Sequence, residues 1–414
     1  MLHKQTWHNS YVNWRLSGPG RRPSQPAVPG FEVNPASSPV ASSPTGASEL
    51  DQPVLTSVGG VVVDVKKTPR PWAARSKTMV FSGAAALVLG TVMFQLPVPY
   101  ILETPGLAVD TLGAQDGVEL VQVDAPARQP ATGKLLLTTV GAFGSEPGSL
   151  SLVQMIAGYF NSADALIPYD LVYPRGQTSE QREQESADQM VSSQENSTVA
   201  ALEYLGYTVP PLVEVVWEDG PSVGLLEVGD LLVSIDGEPV KGYSHLIGML
   251  DQLIPGQEVT VGYERSGTQG QALVATTDAA GRARLGLSVS VDPPVKVEFG
   301  VEDIGGPSAG LMFALAIIDK LGEVDLTGGL VVAGTGTIDA NGEIGAIGGI
   351  RQKMIGASRE HATVFLAPAD NCDEVIGNVP ANLQVIKVTR LDDAVNALIA
   401  IGQNPAAQVP TCLG

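Results

Sequence analysis

The sequence predicts an α+β protein: mixed sheets and helices with a β-rich domain between them, preceded by one transmembrane helix and a disordered tail. Three observations carry this. A single charge-free apolar run, Thr78 to Leu102, divides the 414-residue chain. The segment before it is rich in Pro, Ser, Gly and Ala with almost no apolar periodicity, and the segment after it alternates β-branched runs with helix-spaced apolar residues. The resulting organisation is a tail over 1–77, a span over 78–102, mixed α and β segments over 103–205 and 285–402 on either side of a β-rich domain over 206–284, and a C-terminal tail over 403–414.

Taking the elements in order, residues 17–57 cannot bury enough apolar surface to offset their ordering entropy, so 1–70 are expected to be disordered. The run TMVFSGAAALVLGTVMFQLPVPYIL then opens with 19 residues, enough to cross ~30 Å of hydrocarbon as a helix. Arg70, Arg75 and Lys77 precede it and Glu103 follows it, so the positive-inside rule places the N-terminus in the cytoplasm and everything beyond the span outside. A cleaved signal peptide fits poorly, because the basic region before the run is too long and no A-x-A site follows it. The expectation is a single-pass protein of the cell membrane.

Charge and composition exclude several classes. With 24 Lys and Arg against 44 Asp and Glu, the net charge of −20 is wrong for a general nucleic-acid binder. Residues 1–77 hold nine basic and four acidic side chains, so the acidic surplus lies beyond the span. Two cysteines rule out a disulfide-dense scaffold, and Cys372 and Cys412 suit either one bridge or two free thiols. Four histidines and no H-E-x-x-H give no metal site, and no cofactor is expected.

Beyond the span, GKLLLTTV (Gly133–Val140) reads as a strand, Ser149–Phe160 as a helix, and 178–205 as a long helix ending at Gly206, its acidic stretch Glu180–Glu195 facing solvent. Residues 206–282 change to short strands with Gly turns and one helix around His245–Leu253. Gly229-Asp230 precedes an apolar strand, and Asp236-Gly237 follows it as a hairpin turn. This stretch resembles a PDZ domain of the bacterial type. The resemblance implies a groove for an extended peptide, whose carboxylate meets the backbone of a loop with a Gly between apolar residues, here Leu205-Gly206-Tyr207.

The chemistry concentrates between 296 and 353. VKVEFGVEDIGGPSAGLMFALAIIDKLG reads as strand, loop and helix, with Pro307 in the first turn and Ser308 facing free backbone N–H groups. After a strand at Leu330–Val332 and the Gly-rich GTGTIDANGEIGAIGG, Lys353 falls in the first turns of a second helix, among Ile347, Ile350, Met354 and Ile355. An apolar setting lowers a lysine's pKa until its neutral amine can serve a hydroxyl nucleophile as base.

GGPSAG at Gly305–Gly310 with GEIGAIGGIRQK at Gly342–Lys353 resembles the proteolytic domain of Lon-type Ser/Lys peptidases. The resemblance implies Ser308 as nucleophile, Lys353 as base and Thr335 as the residue orienting it, the pair Thr327-Gly328 being a second candidate at the wrong spacing. The loop at Gly306, Pro307 and Ala309 is the expected oxyanion site, since backbone N–H groups near Ser308 need no side chain and are oriented by the helix start. One departure is that Gly305 stands where the family often has an acid directly before GPSAG, while Asp303 lies two residues further back. GKLLLTTV with the helix after it is similar to the start of Lon proteolytic domains, which makes the PDZ-like unit an insertion. No G-x-x-x-x-G-K-[ST] occurs. The whole therefore resembles the membrane-tethered, ATP-independent, PDZ-containing Lon-like peptidases of Gram-positive bacteria, serine endopeptidases acting on peptides or unfolded chains, with oligomerisation into a ring left open.

Two other readings compete. GPSAG also fits G-x-S-x-G, with Ser308, Asp339 and His361 in the order of a Ser/His/Asp hydrolase, although Gly300–Gly306 separates the serine from its strand. The other is a non-catalytic adaptor in which the PDZ-like unit binds peptides and the rest is scaffold.

Overall fold

The computed structural model describes residues 72–412 apart from 116, 126–130, 146–148, 174–175 and 301–304, so the expected disorder of 1–70, and Asp303, lie outside the described residues. The helices are α1 (Trp72–Phe94), α2 (Leu152–Phe160), α3 (Tyr169–Val172), α4 (Ser179–Tyr204), α5 (Tyr243–Leu250), α6 (Gly310–Leu321), α7 (Ile350–Arg359), α8 (Cys372–Val375) and α9 (Leu391–Gln403).

A six-stranded sheet organises the host domain, in the order Gln384–Val388, Val364–Pro368, Val331–Gly334, Lys134–Phe143, Tyr100–Asp110, Ala165–Pro168. The first four strands run parallel and the last two pair antiparallel. Three strands thus precede the inserted domain in sequence and three follow it. Alternation along the strands sends Leu135, Leu137, Val332, Leu366 and Ile386 to one face, packed with α4, α6 and α9. Leu136, Ala333, Phe365 and Val385 go to the other, packed with Ile350, Met354 and Ala357 of α7. Covered on both faces, the parallel strands read as unbroken apolar runs. Helix α6, GLMFALAIIDKL, is apolar on every side, and Gly310 through Asp319 are all buried, as befits a central helix.

The inserted domain has its own sheet, ordered Thr268–Ala275, Glu258–Arg265, Leu231–Ile235, Pro211–Val216, Leu287–Val291, around a core of Val213, Leu232, Leu246, Val259 and Val274. Asp236 (φ 48°) and Gly237 (φ 81°) make the two-residue turn to Glu238–Pro239. Asp230, fully buried, accepts a two-pronged contact from Arg265 at 2.7 Å on each oxygen and the Glu227 N–H at 2.8 Å. The boundary expected at 284 shifts, because Leu287–Val291 pairs with Pro211–Val216 and not with the host sheet. Strand alternation there fits either partner. Val291 lies opposite Pro211, so the insertion leaves and re-enters the host at adjacent points.

The bounds expected for the helix at 78–102 are also corrected. Helix α1 starts earlier and stops at Phe94, since Pro97 and Pro99 end it, and Tyr100 begins the first strand of the host sheet. Among the described residues no helix is long and apolar enough to cross a membrane. Along α1, Met79, Val80, Phe81, Leu87, Val88, Leu89, Val92, Met93 and Phe94 are nonetheless exposed. At the other end of the chain, Cys372 and Cys412 form a disulfide, and the Lys387 N–H donates to the Pro410 carbonyl at 2.9 Å. The C-terminal segment thereby covers the Gln384–Val388 edge.

Candidate active site

Ser308 sits in a 3₁₀ turn, Pro307–Ala309, that runs straight into α6. The buried helix makes this a rigid mount. Beneath the turn, the segment after Val331–Gly334 acts as a cradle: the Gly336 N–H and the Thr335 hydroxyl both donate to the Ser308 carbonyl at 3.0 Å, and the Leu311 N–H returns a bond to the Gly336 carbonyl at 3.1 Å. From α4, Ser193 donates to the Pro307 carbonyl and Ser197 to the Gly310 carbonyl.

Lys353 arrives from the opposite face of the sheet on α7. Its N-cap, Gly349, is left-handed (φ 68°), and a Cβ there would stand 2.7 Å from Val140 Cγ1 and 3.3 Å from Glu103 Oε2. Only glycine lets the helix start so close to the strands. The lysine is 2% exposed, and its Nζ lies 2.7 Å from Ser308 Oγ and 2.9 Å from Thr335 Oγ1. Burial lowers its pKa from 10.5 to about 8, against an opposing pull from Glu103. Glu103, half-buried, is itself raised by burial, with Lys353 pulling it down and Glu374 pushing it up.

This geometry assigns the protons. The Thr335 hydrogen is committed to the Ser308 carbonyl, so Thr335 can only accept from Lys353. A neutral Lys353 amine that donates one N–H to Thr335 has its lone pair free for the Ser308 O–H. The arrangement can remove the serine's proton and return it to a leaving group.

The sequence-predicted residues divide clearly. The structure brings Ser308, Lys353 and Thr335 together. Thr327, the rival to Thr335, is instead bonded to Asp325 and the Gly133 N–H at the sheet edge. Of the expected oxyanion loop, the Gly306 N–H is taken by the Ser186 carbonyl at 3.2 Å and Pro307 has no N–H, which leaves the amides of Ser308 and Ala309 at the helix start. Asp339 and His361 stand apart from Ser308: the Asp339 carboxylate accepts the Glu343 N–H, and His361 is exposed in the left-handed residue ending α7. Among the described residues, Lys353 is the side chain hydrogen-bonded to Ser308 Oγ.

The peptide-carboxylate loop at Leu205-Gly206-Tyr207 is corrected. Gly206 (φ 84°) is the residue after the α4 C-cap, and the N–H groups of Gly206 and Tyr207 bond to the carbonyls of Glu203 and Leu202. Both amides are spent closing the helix. The sequence reading missed a second glycine between apolar residues, Leu285-Gly286-Leu287, which enters the edge strand Leu287–Val291. The signal was present, but it lay beyond the expected end of the domain.

Comparison with known proteins agrees with both halves. Residues 291–401 match the Lon protease (S16) C-terminal proteolytic domain, and residues 189–276 match the PDZ domain. Lon protease of Clostridioides difficile (strain 630) is 32% identical over 117 residues, 27% of this chain and 15% of that protein. Lon protease of Xanthomonas oryzae pv. oryzae is 30% identical over 194 residues, 43% of this chain and 21% of that protein. Lon protease of Vibrio parahaemolyticus is 36% identical over 120 residues, 28% and 14%. The chain therefore spans about a fifth or less of these relatives. The PDZ domain of an SdrC-like protein from Listeria innocua is 28% identical and overlays 19% of this chain and 92% of that one, with a TM-score of 0.19.

Proposed function

We propose that this chain is a serine endopeptidase using Ser308 as nucleophile and Lys353 as general base, tethered to the cell membrane by α1 with its catalytic and PDZ domains outside, and cleaving peptides or unfolded segments of proteins without ATP. The observation that carries it is the buried Lys353 amine at 2.7 Å from Ser308 Oγ, its pKa near 8. Lys353 takes the proton as Ser308 attacks the scissile carbonyl, the amides of Ser308 and Ala309 receive the oxyanion, and the protonated lysine passes its proton to the leaving amine. Water then hydrolyses the acyl-enzyme with Lys353 again as base. At pH 7 a group titrating near 8 is about one tenth neutral, which suffices for turnover and leaves room for a rise with pH.

The remaining parts of the reading have their own support. The exposed apolar side chains of α1 favour a tether, and the basic residues before them favour a cytoplasmic N-terminus. The Cys372–Cys412 disulfide favours an oxidising compartment. An edge strand entered by Leu285-Gly286-Leu287 favours peptide capture by strand addition. The lack of a P-loop in these 414 residues favours substrates that arrive already unfolded.

The decisive experiment compares single variants on an unstructured peptide in the absence of ATP. Ser308→Ala and Lys353→Ala should each abolish cleavage, and His361→Ala should keep most of it. An inactive His361→Ala beside an active Lys353→Ala would replace the dyad by a triad, and an active Ser308→Ala would return the chain to the adaptor reading.

A further inference from the structure

Helix α2 is a nine-residue segment, LVQMIAGYF, with no charged residue and only Gly158 buried. Val153, Ile156, Tyr159 and Phe160 stand exposed, the last two at 75% and 80%. Ile156, Tyr159 and Phe160 line an open groove of about 600 Å³ together with Tyr100, Leu166 and, as its one acid, Asp164. So much contiguous apolar surface on a short helix calls for a cover.

What covers it follows from its neighbours. The α2 start is joined to the end of α1 by the Val98 N–H to the Leu150 carbonyl at 2.9 Å and the Leu152 N–H to the Leu96 carbonyl at 3.1 Å, with a bridge between Pro97 and Ser151. The exposed apolar face of α2 therefore continues that of α1. The same corner gathers four of the chain's nine tyrosines, Tyr100, Tyr159, Tyr169 and Tyr173. Tyr159 meets Phe160 edge-on, and Arg182 lies 4.4 Å above the Tyr173 ring. Rings with a polar edge and an adjacent cation, placed beside an apolar helix, match the composition of a lipid–water interface.

We infer that α2 and the tyrosines around it rest on the bilayer surface beside the point where α1 enters it, holding the catalytic domain flat against the membrane. The inference rests on the tether proposed above and adds a fixed orientation to it. It also names a substrate class. The Arg351 guanidinium, two residues before Lys353, donates to the Ser162 carbonyl in the turn that ends α2. The helix bearing the base is thus fastened to the lipid-facing segment, and the chains cleaved are those whose scissile bond lies close to the bilayer.

The test uses the full chain in phosphatidylcholine/phosphatidylglycerol vesicles, its native disulfide intact, with a nitroxide at Phe160→Cys, Val92→Cys or the exposed Val324→Cys, next to Asp325, which bonds Thr132 at the far end of the Lys134–Phe143 strand. Oxygen should relax the Val92 and Phe160 labels more than a water-soluble nickel chelate does, Phe160 from the shallower depth, while Val324 favours nickel. A lipid-exposed Val92 beside a Phe160 label that is open to nickel, or shielded from both reagents, overturns the surface inference and leaves the tether standing. A Val92 label in water overturns both. In a second arm, Tyr159→Asp with Phe160→Asp should slow cleavage of a membrane-anchored substrate cut within ten residues of the bilayer at least tenfold and leave a soluble peptide unaffected. Equal loss on both substrates would mean that the patch belongs to the substrate cleft, and the inference fails.

Discussion

Replacing Lys353 by methionine should make this protein more stable while making it inactive. In the unfolded chain the lysine titrates at its ordinary 10.5, whereas in the folded protein burial holds it at about 8. Below pH 8 both states carry the proton, and the folded state bears the whole cost of a buried cation, about 3 kcal/mol from the difference. Between about 8 and 10.5 the unfolded state binds the proton and the folded state does not, so stability rises with pH and the cost disappears. Methionine fills a similar volume with no charge, leaves the Thr335 hydroxyl bonded to the Ser308 carbonyl, and deprives only the half-buried Glu103 of an attraction. A net gain of about 1–3 kcal/mol is expected at pH 6.5. Urea unfolding of parent and variant, followed by circular dichroism at pH 6.5 and pH 10, measures it. A variant less stable than the parent at pH 6.5, or a gain undiminished at pH 10, would refute the claim that burial, opposed only by Glu103, sets the lysine's pKa.

Further outcomes can be checked on the same protein. The kcat/KM for an unstructured peptide should rise through about pH 8 as Lys353 loses its proton, and Glu103→Gln should move that rise to lower pH by removing the charge that favours the protonated lysine. Thr335→Val, which takes away the acceptor that turns the amine, should lower kcat about tenfold to a hundredfold with KM little changed, and Thr335→Ser should restore most of it. Opening the Cys372–Cys412 bridge, 40 residues apart in sequence, should cost up to about 4 kcal/mol on the loop-entropy estimate, read as a lower urea midpoint after reduction. Replacing 211–290 by a short Gly/Ser linker should raise KM for a substrate bearing a PDZ-binding tail and spare turnover of a short peptide, since Pro211 and Val291 already lie opposite each other.

The dyad was legible because each of its parts is a local signal: a proline and serine opening an apolar helix, and a lysine among isoleucines behind a glycine pair. Helix α4 was legible end to end, from the Thr178–Gln181 capping box to Gly206. What escaped the sequence depends on partners distant in the chain. Strand alternation at Leu287–Val291 does not say which sheet it joins, so the domain boundary was drawn too early and the Leu285-Gly286-Leu287 loop was passed over. Gly206 has the composition of a carboxylate loop and the hydrogen bonds of a helix cap, and only the positions of the Leu202 and Glu203 carbonyls separate the two. The amide of Gly306 was lost to Ser186, more than a hundred residues away, and the pairing of Cys372 with Cys412 likewise needed the C-terminal segment in place.

The meeting of Pro211 with Val291 also bears on how the chain acquires its fold. The host sheet takes strands from both sides of the insertion, and in the unfolded chain those halves are joined by a loop of about 80 residues, whose closure entropy grows by about 0.6 kcal/mol per doubling of length. Once the inserted domain has folded, its two ends are held a strand's width apart, and the same loop behaves as one of a few residues. The connection from Lys134–Phe143 to Val331–Gly334 then falls from about 190 residues to about 110, just under one doubling, or roughly 0.5 kcal/mol of search. The inserted domain thus modestly shortens the search of its host during folding. Damage to its core, at Val213 or Leu246 far from Ser308, would surface as slow maturation of the protease and not as a change in its chemistry.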